Sequence, residues 1–285
     1  MADGAYRWQG NAPMPDAARV DAIHDAWQDD HADTFAEPAR ASAIEKIERA
    51  LAAARTGDLT EAQAQLTHAR SVLEGLRPEA LEPRRGLAGL FDSRKRRLKA
   101  FRAAYARAAA SVDEVGRDLA GWMEGIGRRS TALETVWAET RDAVVELDAH
   151  LAAAARRLTR HVPPADAGED QPPHPLEARK ATLDACRNAA VAALPLIRNA
   201  QNADIRFADL LKPCAEGAVA WREDWKDALG LAGRRPKKVR PDRDRLLRLR
   251  DDLLARIDRA LKGIAAARDR RADVESRLAE ARNGL

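Results

Sequence analysis

The chain has 285 residues, 49 of them Lys or Arg and 45 Asp or Glu, for a net charge of +4; it is 45% hydrophobic and 33% charged but only 4% aromatic. So balanced a total excludes a non-specific nucleic-acid binder judged on bulk charge, and leaves any attraction for anions to local clusters. The two cysteines, Cys186 and Cys214, lack CxxC spacing, which excludes a zinc site and a disulfide framework, and without an apolar leader or a long uncharged apolar window the chain is expected to be soluble and cytoplasmic.

Long runs of Ala, Leu, Arg, Glu and Asp without β-branched segments predict an all-α protein. Residues 1–15 read as a loose tail. Asp16 then opens a short helix with Ala17, Val20, Ile23 and Trp27 on one face, so that 1–40 forms a tail with one helix. His24 and His31 stand seven apart, two turns and too far for chelation without further ligands, and are expected to be solvated. From Ala41 the pattern Ile44, Ile47, Leu51 runs to Gly57. Asp58 or Thr60 caps a second helix bearing Ala62, Leu66, Ala69, Val72 and Leu76. The two form a helical hairpin turning at 56–59, stopped by Pro78 and Pro83. A glycine-bearing apolar joint, Gly86 to Phe91, closes the segment 41–91.

Asp92 or Ser93 caps the next helix, whose first turns carry Arg94, Lys95, Arg96, Arg97, Lys99 and Arg102. Cations there oppose the helix dipole, so local helix stability does not explain them. They make either a solubilising face or a surface for an acidic partner, a phosphate or a lipid headgroup. The seam that follows steps by three and four through Leu98, Phe101, Tyr105, Ala108, Val112, Val115, Leu119, Trp122 and Ile126. It continues through Leu133, Trp137, Thr140, Val144, Leu147, Leu151, Ala154 and Leu158, predicting a helix roughly 95 Å long. Gly121, Gly125 and Gly127 mark an expected bend or break. The proline-rich stretch 162–175 reverses the chain.

A returning helix takes Leu176, Leu183, Cys186, Ala190, Ala193, Ile197, Ile205, Ala208 and Leu211, with a kink expected at Pro195 and an interruption near Pro213. Cys186, on the apolar face, reads as an inert thiol. Arg198, Asn199, Gln201 and Asn202 form a polar cluster that either fixes helix register through hydrogen bonds or lines a ligand pocket. Trp221 and Trp225 read as packing residues.

Beyond the Gly230–Gly233 joint come Arg234, Arg235, Lys237, Lys238 and Arg240, held extended by Pro236 and Pro241. Asp242 caps a last helix with the seam Leu246, Leu249, Leu253, Ile257, Ala260, Ile264, Ala267, Val274 and Leu278. No aromatic side chain sits among these cations as a stacking platform, so specific nucleic-acid binding is not expected. Residues 92–283 are thus predicted to form an elongated antiparallel bundle of three long, coiled-coil-like helices.

The order of these features carries a resemblance. The joint GLAGLFD at 86–92, the basic start with Phe101-x-x-x-Tyr105, the proline-rich reversal, the segment Leu194-Pro195-Leu196-Ile197-Arg198-Asn199-Ala200-Gln201-Asn202 and the final charged helix together resemble the toxic anion resistance family, the TelA-like proteins of tellurite resistance, over roughly residues 86–283. The amino-terminal hairpin departs from the family's usual pattern. The resemblance implies a cytoplasmic, all-helical, non-enzymatic protein that supports resistance to tellurite and similar oxyanions through other proteins of a bacterial resistance complex. It implies no catalytic residue, no cofactor and no metal. An alternative use of the two basic clusters is direct binding of an oxyanion or an anionic lipid surface. Peripheral membrane contact is not favoured, and a homo-oligomer fits the helical seams as well as a monomer does.

Overall fold

A computed structural model describes residues 14–27, 31–55, 59–83, 93–160, 174–283 and 285. The expected tail at 1–13, the turn at 56–58, the joint at 86–91 and most of the proline-rich reversal lie outside the described residues. The chain is all-α, with no strand among the described residues. Its helices are α1 (Ala17–Asp25), α2 (Glu37–Arg55), α3 (Thr60–Glu74), α4 (Arg94–Arg160), α5 (Pro175–Ala228) and α6 (Arg243–Asn283), with a short 3₁₀ turn at Pro78–Leu81.

Each boundary has a local cause. Asp16 accepts a hydrogen bond from the Ala18 N–H, the Ser93 Oγ from the Arg96 N–H, and the Asp242 carboxylate from the Arg245 N–H, so each meets a donor that the first turn of a helix leaves open. α3 departs from expectation: it begins after Leu59, which offers no side-chain bond. At the other end of α5, Gly230 takes a φ of +66°. The Leu231 N–H reaches the Lys226 carbonyl at 2.7 Å and the Gly230 N–H the Asp227 carbonyl at 2.8 Å, which together make a Schellman stop.

α4 runs unbroken through Gly121, Gly125 and Gly127, and α5 runs unbroken through both Pro195 and Pro213. The interruption expected near Pro213 is therefore absent. Both prolines lie on the exposed face, where a carbonyl that loses its N–H partner meets water, while Leu211 and Cys214 on either side of Pro213 are buried.

The chain divides into two compact units, each discontinuous in sequence, whereas the domains read from the sequence follow chain order. The first comprises 1–56, 129–202 and 270–285; the second comprises 57–128 and 203–269. α2 and α3, neighbours in sequence, bury their faces in different cores.

In the first unit α2 sets Ile47, Ala50 and Leu51 against Leu133, Val136 and Val144 of α4, Ile197 of α5 and Leu278 of α6. Here α4 is covered on more than one side, because Val20 and Ile23 of α1 pack on Ala149 and Ala153. Those alanines leave room for α1 to approach, and they are too small to have announced a second buried stripe. A salt bridge is sealed into the same unit: Arg187 of α5 meets Asp148 of α4 at 2.9 Å, their side chains 6% and 0% exposed.

In the second unit, Leu66 and Leu73 of α3, Leu119 of α4, Leu211 of α5 and Ile257 and Ile264 of α6 share one core. Its densest part is aromatic. Trp225 lies 5.9 Å from Phe101, 5.8 Å from Tyr105 and 5.1 Å from Trp221 between ring centroids, and is fully buried. The Tyr105 hydroxyl donates to the Arg222 carbonyl at 2.8 Å, and burial pushes its pKa up to about 12. The expected seams hold closely here, with one exception. Ile205 is 46% exposed, and Ala203, Asp204 and Phe207 take the buried positions instead, because a stripe continued from Ile197 and Ala200 passes through 203 or 204 and 207.

Candidate anion-binding cleft

The two basic clusters, 140 positions apart when counted from Arg94 to Arg234, belong to the same unit and meet there. A cleft of about 750 Å³ lies between the first turns of α4 and the connection from α5 to α6. Arg94, Lys95, Lys99 and Arg102 line one wall, Lys237, Lys238 and Arg240 the other, with Leu98, Pro236 and Val239 between them. No carboxylate lines it among the described residues.

Backbone bonds build this site. Arg102 donates to the Leu229 carbonyl at 2.9 Å and to the Lys237 carbonyl at 2.7 Å; Arg94 donates to the Val239 carbonyl at 2.8 Å; and the Lys237 N–H returns to the Gly230 carbonyl at 2.9 Å. Two arginines thus act as struts that hold the connection against α4. The left-handed turn at Gly230 is part of the same construction, since a Cβ there would stand 2.8 Å from the Val239 Cγ1 and 3.1 Å from the Lys237 carbonyl. Gly230→Ala is expected to cost about 1–2 kcal/mol for the backbone conformation alone. Urea unfolding followed by circular dichroism measures it, and an unchanged midpoint would contradict the strut arrangement.

With Arg94 and Arg102 so engaged, the side chains of Lys95, Lys99, Lys237, Lys238 and Arg240 are left with no ion-pair or hydrogen-bond partner among the described residues. Elsewhere in this unit several cations meet carboxylates: Arg70 with Asp258 at 2.7 Å, Arg222 with Asp113 at 2.9 Å, Arg256 with Asp252 at 3.0 Å, and Arg243 with Glu82. Of the other predicted cations, Arg96, Arg234 and Arg235 are exposed outside the cleft. Arg97 is half-buried and donates to the Leu81 carbonyl at 3.2 Å.

The polar cluster on α5 divides. Arg198 and Gln201 reach across to α4: Arg198 holds Glu134, and the Gln201 amide donates to the Ser130 carbonyl at 3.3 Å and to the Glu134 carboxylate at 3.2 Å. These contacts, chiefly the Arg198 hydrogen bond, hold the Glu134 carboxyl below its ordinary range. Asn199 and Asn202 are exposed, so any register contact runs through Arg198 and Gln201 and not through Asn202. Arg198 also lies over the Trp137 ring, 3.9 Å from its centroid.

A second hollow, of about 650 Å³, lies in the first unit beside Trp27, His31, Phe35 and His150. Its ionic groups are engaged with each other: Arg19 binds Glu146 at 2.5 Å, and the His150 Nδ1 sits 2.9 Å from the Glu146 carbonyl. His31 is exposed as expected, whereas the His24 side chain is only 12% exposed and lies 3.3 Å from Asp25. No cluster of metal-ligating side chains occurs among the described residues. Cys186 and Cys214 are both buried; burial pushes the Cys214 thiol up to about 11 and raises Cys186 as well, which disfavours the reactive thiolate at both.

The family model for the toxic anion resistance protein (TelA) matches residues 29–204, more than half of the chain. The chain belongs to the TelA family. The match includes α2 and α3, the amino-terminal segment that had looked foreign to the family, and stops before α6, which had seemed to share its features. The TelA region therefore supplies the α4 wall of the cleft, while the wall bearing Lys237, Lys238 and Arg240 lies beyond the matched residues. No curated protein and no solved structure matches the chain. Among the described residues, no helix is long and apolar enough to cross a membrane. At the level of the family, this is a protein of toxic anion and tellurite resistance.

Proposed function

We propose that this TelA protein contributes to resistance without catalysis, as a helical scaffold in a bacterial resistance complex that engages an anionic component through the cleft between α4 and the α5–α6 connection. One observation supports the reading most strongly: cations from two remote segments converge on one hollow, and no carboxylate lines it among the described residues. Like charges gathered this way repel one another and oppose the α4 dipole, an arrangement that destabilises the empty protein and is relieved when an anion binds.

A redox enzyme acting through thiols is the competing reading, and the burial of Cys186 and Cys214 weighs against it. Complementation of a tellurite-sensitive host tests both. The variant K95Q/K99Q/K237Q/K238Q is expected to leave survival at the level of the host without the gene, although it accumulates and folds normally. C186S/C214S is expected to protect like the unaltered protein. Full protection by the lysine variant, or loss of protection by the cysteine variant at normal abundance, would overturn the proposal.

A further inference from the structure

The reading above leaves the chemistry of the anion open, and the lysines narrow it. The chain contains forty arginines and only nine lysines, of which four, Lys95, Lys99, Lys237 and Lys238, line this one cleft. Carboxylates elsewhere are held mainly by arginine, whose planar fork matches them; examples run from Arg55 with Glu275 to Arg187 with Asp148. In the cleft the arginine forks of Arg94 and Arg102 are turned onto backbone carbonyls, and the free charges are four compact ammonium groups and the Arg240 guanidinium, a mainly point-charge lining that suits a phosphate approached from several sides.

Resting on the proposed function, we infer that the cleft is a site for a ligand carrying adjacent phosphate groups. Each phosphate monoester brings a charge of about −1.5 to −2 at neutral pH, so about three neighbouring groups balance the four ammoniums and the Arg240 guanidinium within a single ligand-sized volume. Among the described residues no aromatic side chain lines the cleft to stack a nucleobase, so the fit is to the phosphates. Leu98 and Val239 form an apolar patch between the charged walls, which accommodates either the spacing atoms of a free polyphosphate ligand or the root of a phosphorylated lipid headgroup. These two sources share the chemistry and differ in what else they bring.

Calorimetric titration of the full chain with inorganic tripolyphosphate tests the site, alongside sedimentation with phosphatidylcholine vesicles with and without phosphatidylinositol bisphosphate. A hexaglutamate peptide is the carboxylate control. K95Q/K99Q/K237Q/K238Q is compared with K46Q/K180Q/K212Q/K262Q, which loses the same net charge elsewhere. The first variant should bind tripolyphosphate about 80- to 600-fold more weakly than the unaltered protein, each of four exposed ammonium–phosphate contacts being worth roughly three- to fivefold, and the second should bind it nearly as well. Tripolyphosphate should also raise the thermal midpoint of the unaltered chain and not that of the first variant. Binding to the bisphosphate vesicles alone, lost in the first variant, assigns the phosphates to a lipid. Equal weakening in both variants, binding of hexaglutamate as tight as that of tripolyphosphate, or no binding to either phosphate source overturns the inference. If the phosphate probes fail while the first variant still loses tellurite protection, the ligand class falls and the proposed function stands.

Discussion

Arg187→Ala is expected to destabilise the protein by about 3–5 kcal/mol, because it leaves the Asp148 carboxylate buried without its guanidinium. Asp148 is fully buried and Arg187 nearly so, and at 2.9 Å their attraction is unscreened by solvent. The double variant D148L/R187L removes both charges and fills similar volume, and is expected to unfold close to the unaltered protein or above it. That outcome would make the pair a device for the specificity of α4–α5 pairing more than for net stability.

The pH dependence has a definite sign. Burial, the largest influence, raises the Asp148 carboxyl above its ordinary range, with Arg187 pulling it back. A raised folded value means that the contribution is fully present below the ordinary Asp range and is lost as pH rises through the raised value. Without Arg187 that loss grows, so the penalty of Arg187→Ala should shrink on acidification and should vanish when Asp148→Asn is added. Urea unfolding across an acidic to neutral series measures it, and a penalty independent of pH would contradict the assignment.

The second large effect belongs to the aromatic cluster. Trp225→Ala should cost about 3–5 kcal/mol, since removal of a fully buried indole between Phe101, Tyr105 and Trp221 leaves a cavity that long helices cannot close. Trp225→Phe should cost much less. The Trp225 indole N–H is buried with no hydrogen-bond partner among the described residues, so its removal relieves a desolvated donor and offsets part of the lost contact area. Circular dichroism during urea unfolding distinguishes the two. Equal losses would show that shape alone governs the cluster.

How far the sequence could be read follows from what each feature depends on. Seams depend on spacing, and the stripe from Phe101 to Leu119 and that from Leu246 to Leu278 reappear almost residue for residue in the cores. Features that depend on a partner helix were not legible. Nothing beside Asp148 or Arg187 in the sequence marks them as a pair, being 39 positions apart, and Ala149 and Ala153 look like filler until α1 lies on them. Pro213 signalled a break because propensity describes an isolated helix, whereas here the buried residues flanking it hold the turn.

The candidate site was half legible in the same sense. Both basic clusters stood out by charge and by their conflict with the α4 dipole, but their meeting depends on the Gly230 turn and the struts Arg94 and Arg102. Leu98 had appeared only as a seam residue, and Val239 carried no signal at all. Arg234 and Arg235, the start of the densest run of charge, lie outside the cleft, because charge density along a chain does not report which side chains face inward.

With so few lysines, their ammonium resonances can be followed one by one by nuclear magnetic resonance while tripolyphosphate is added at low ionic strength. If the cleft is what this TelA protein binds with, Lys95, Lys99, Lys237 and Lys238 shift together and saturate at one equivalent, while Lys46, Lys180, Lys212, Lys226 and Lys262 stay in place. All lysines drifting alike without saturation, or none moving, would contradict it.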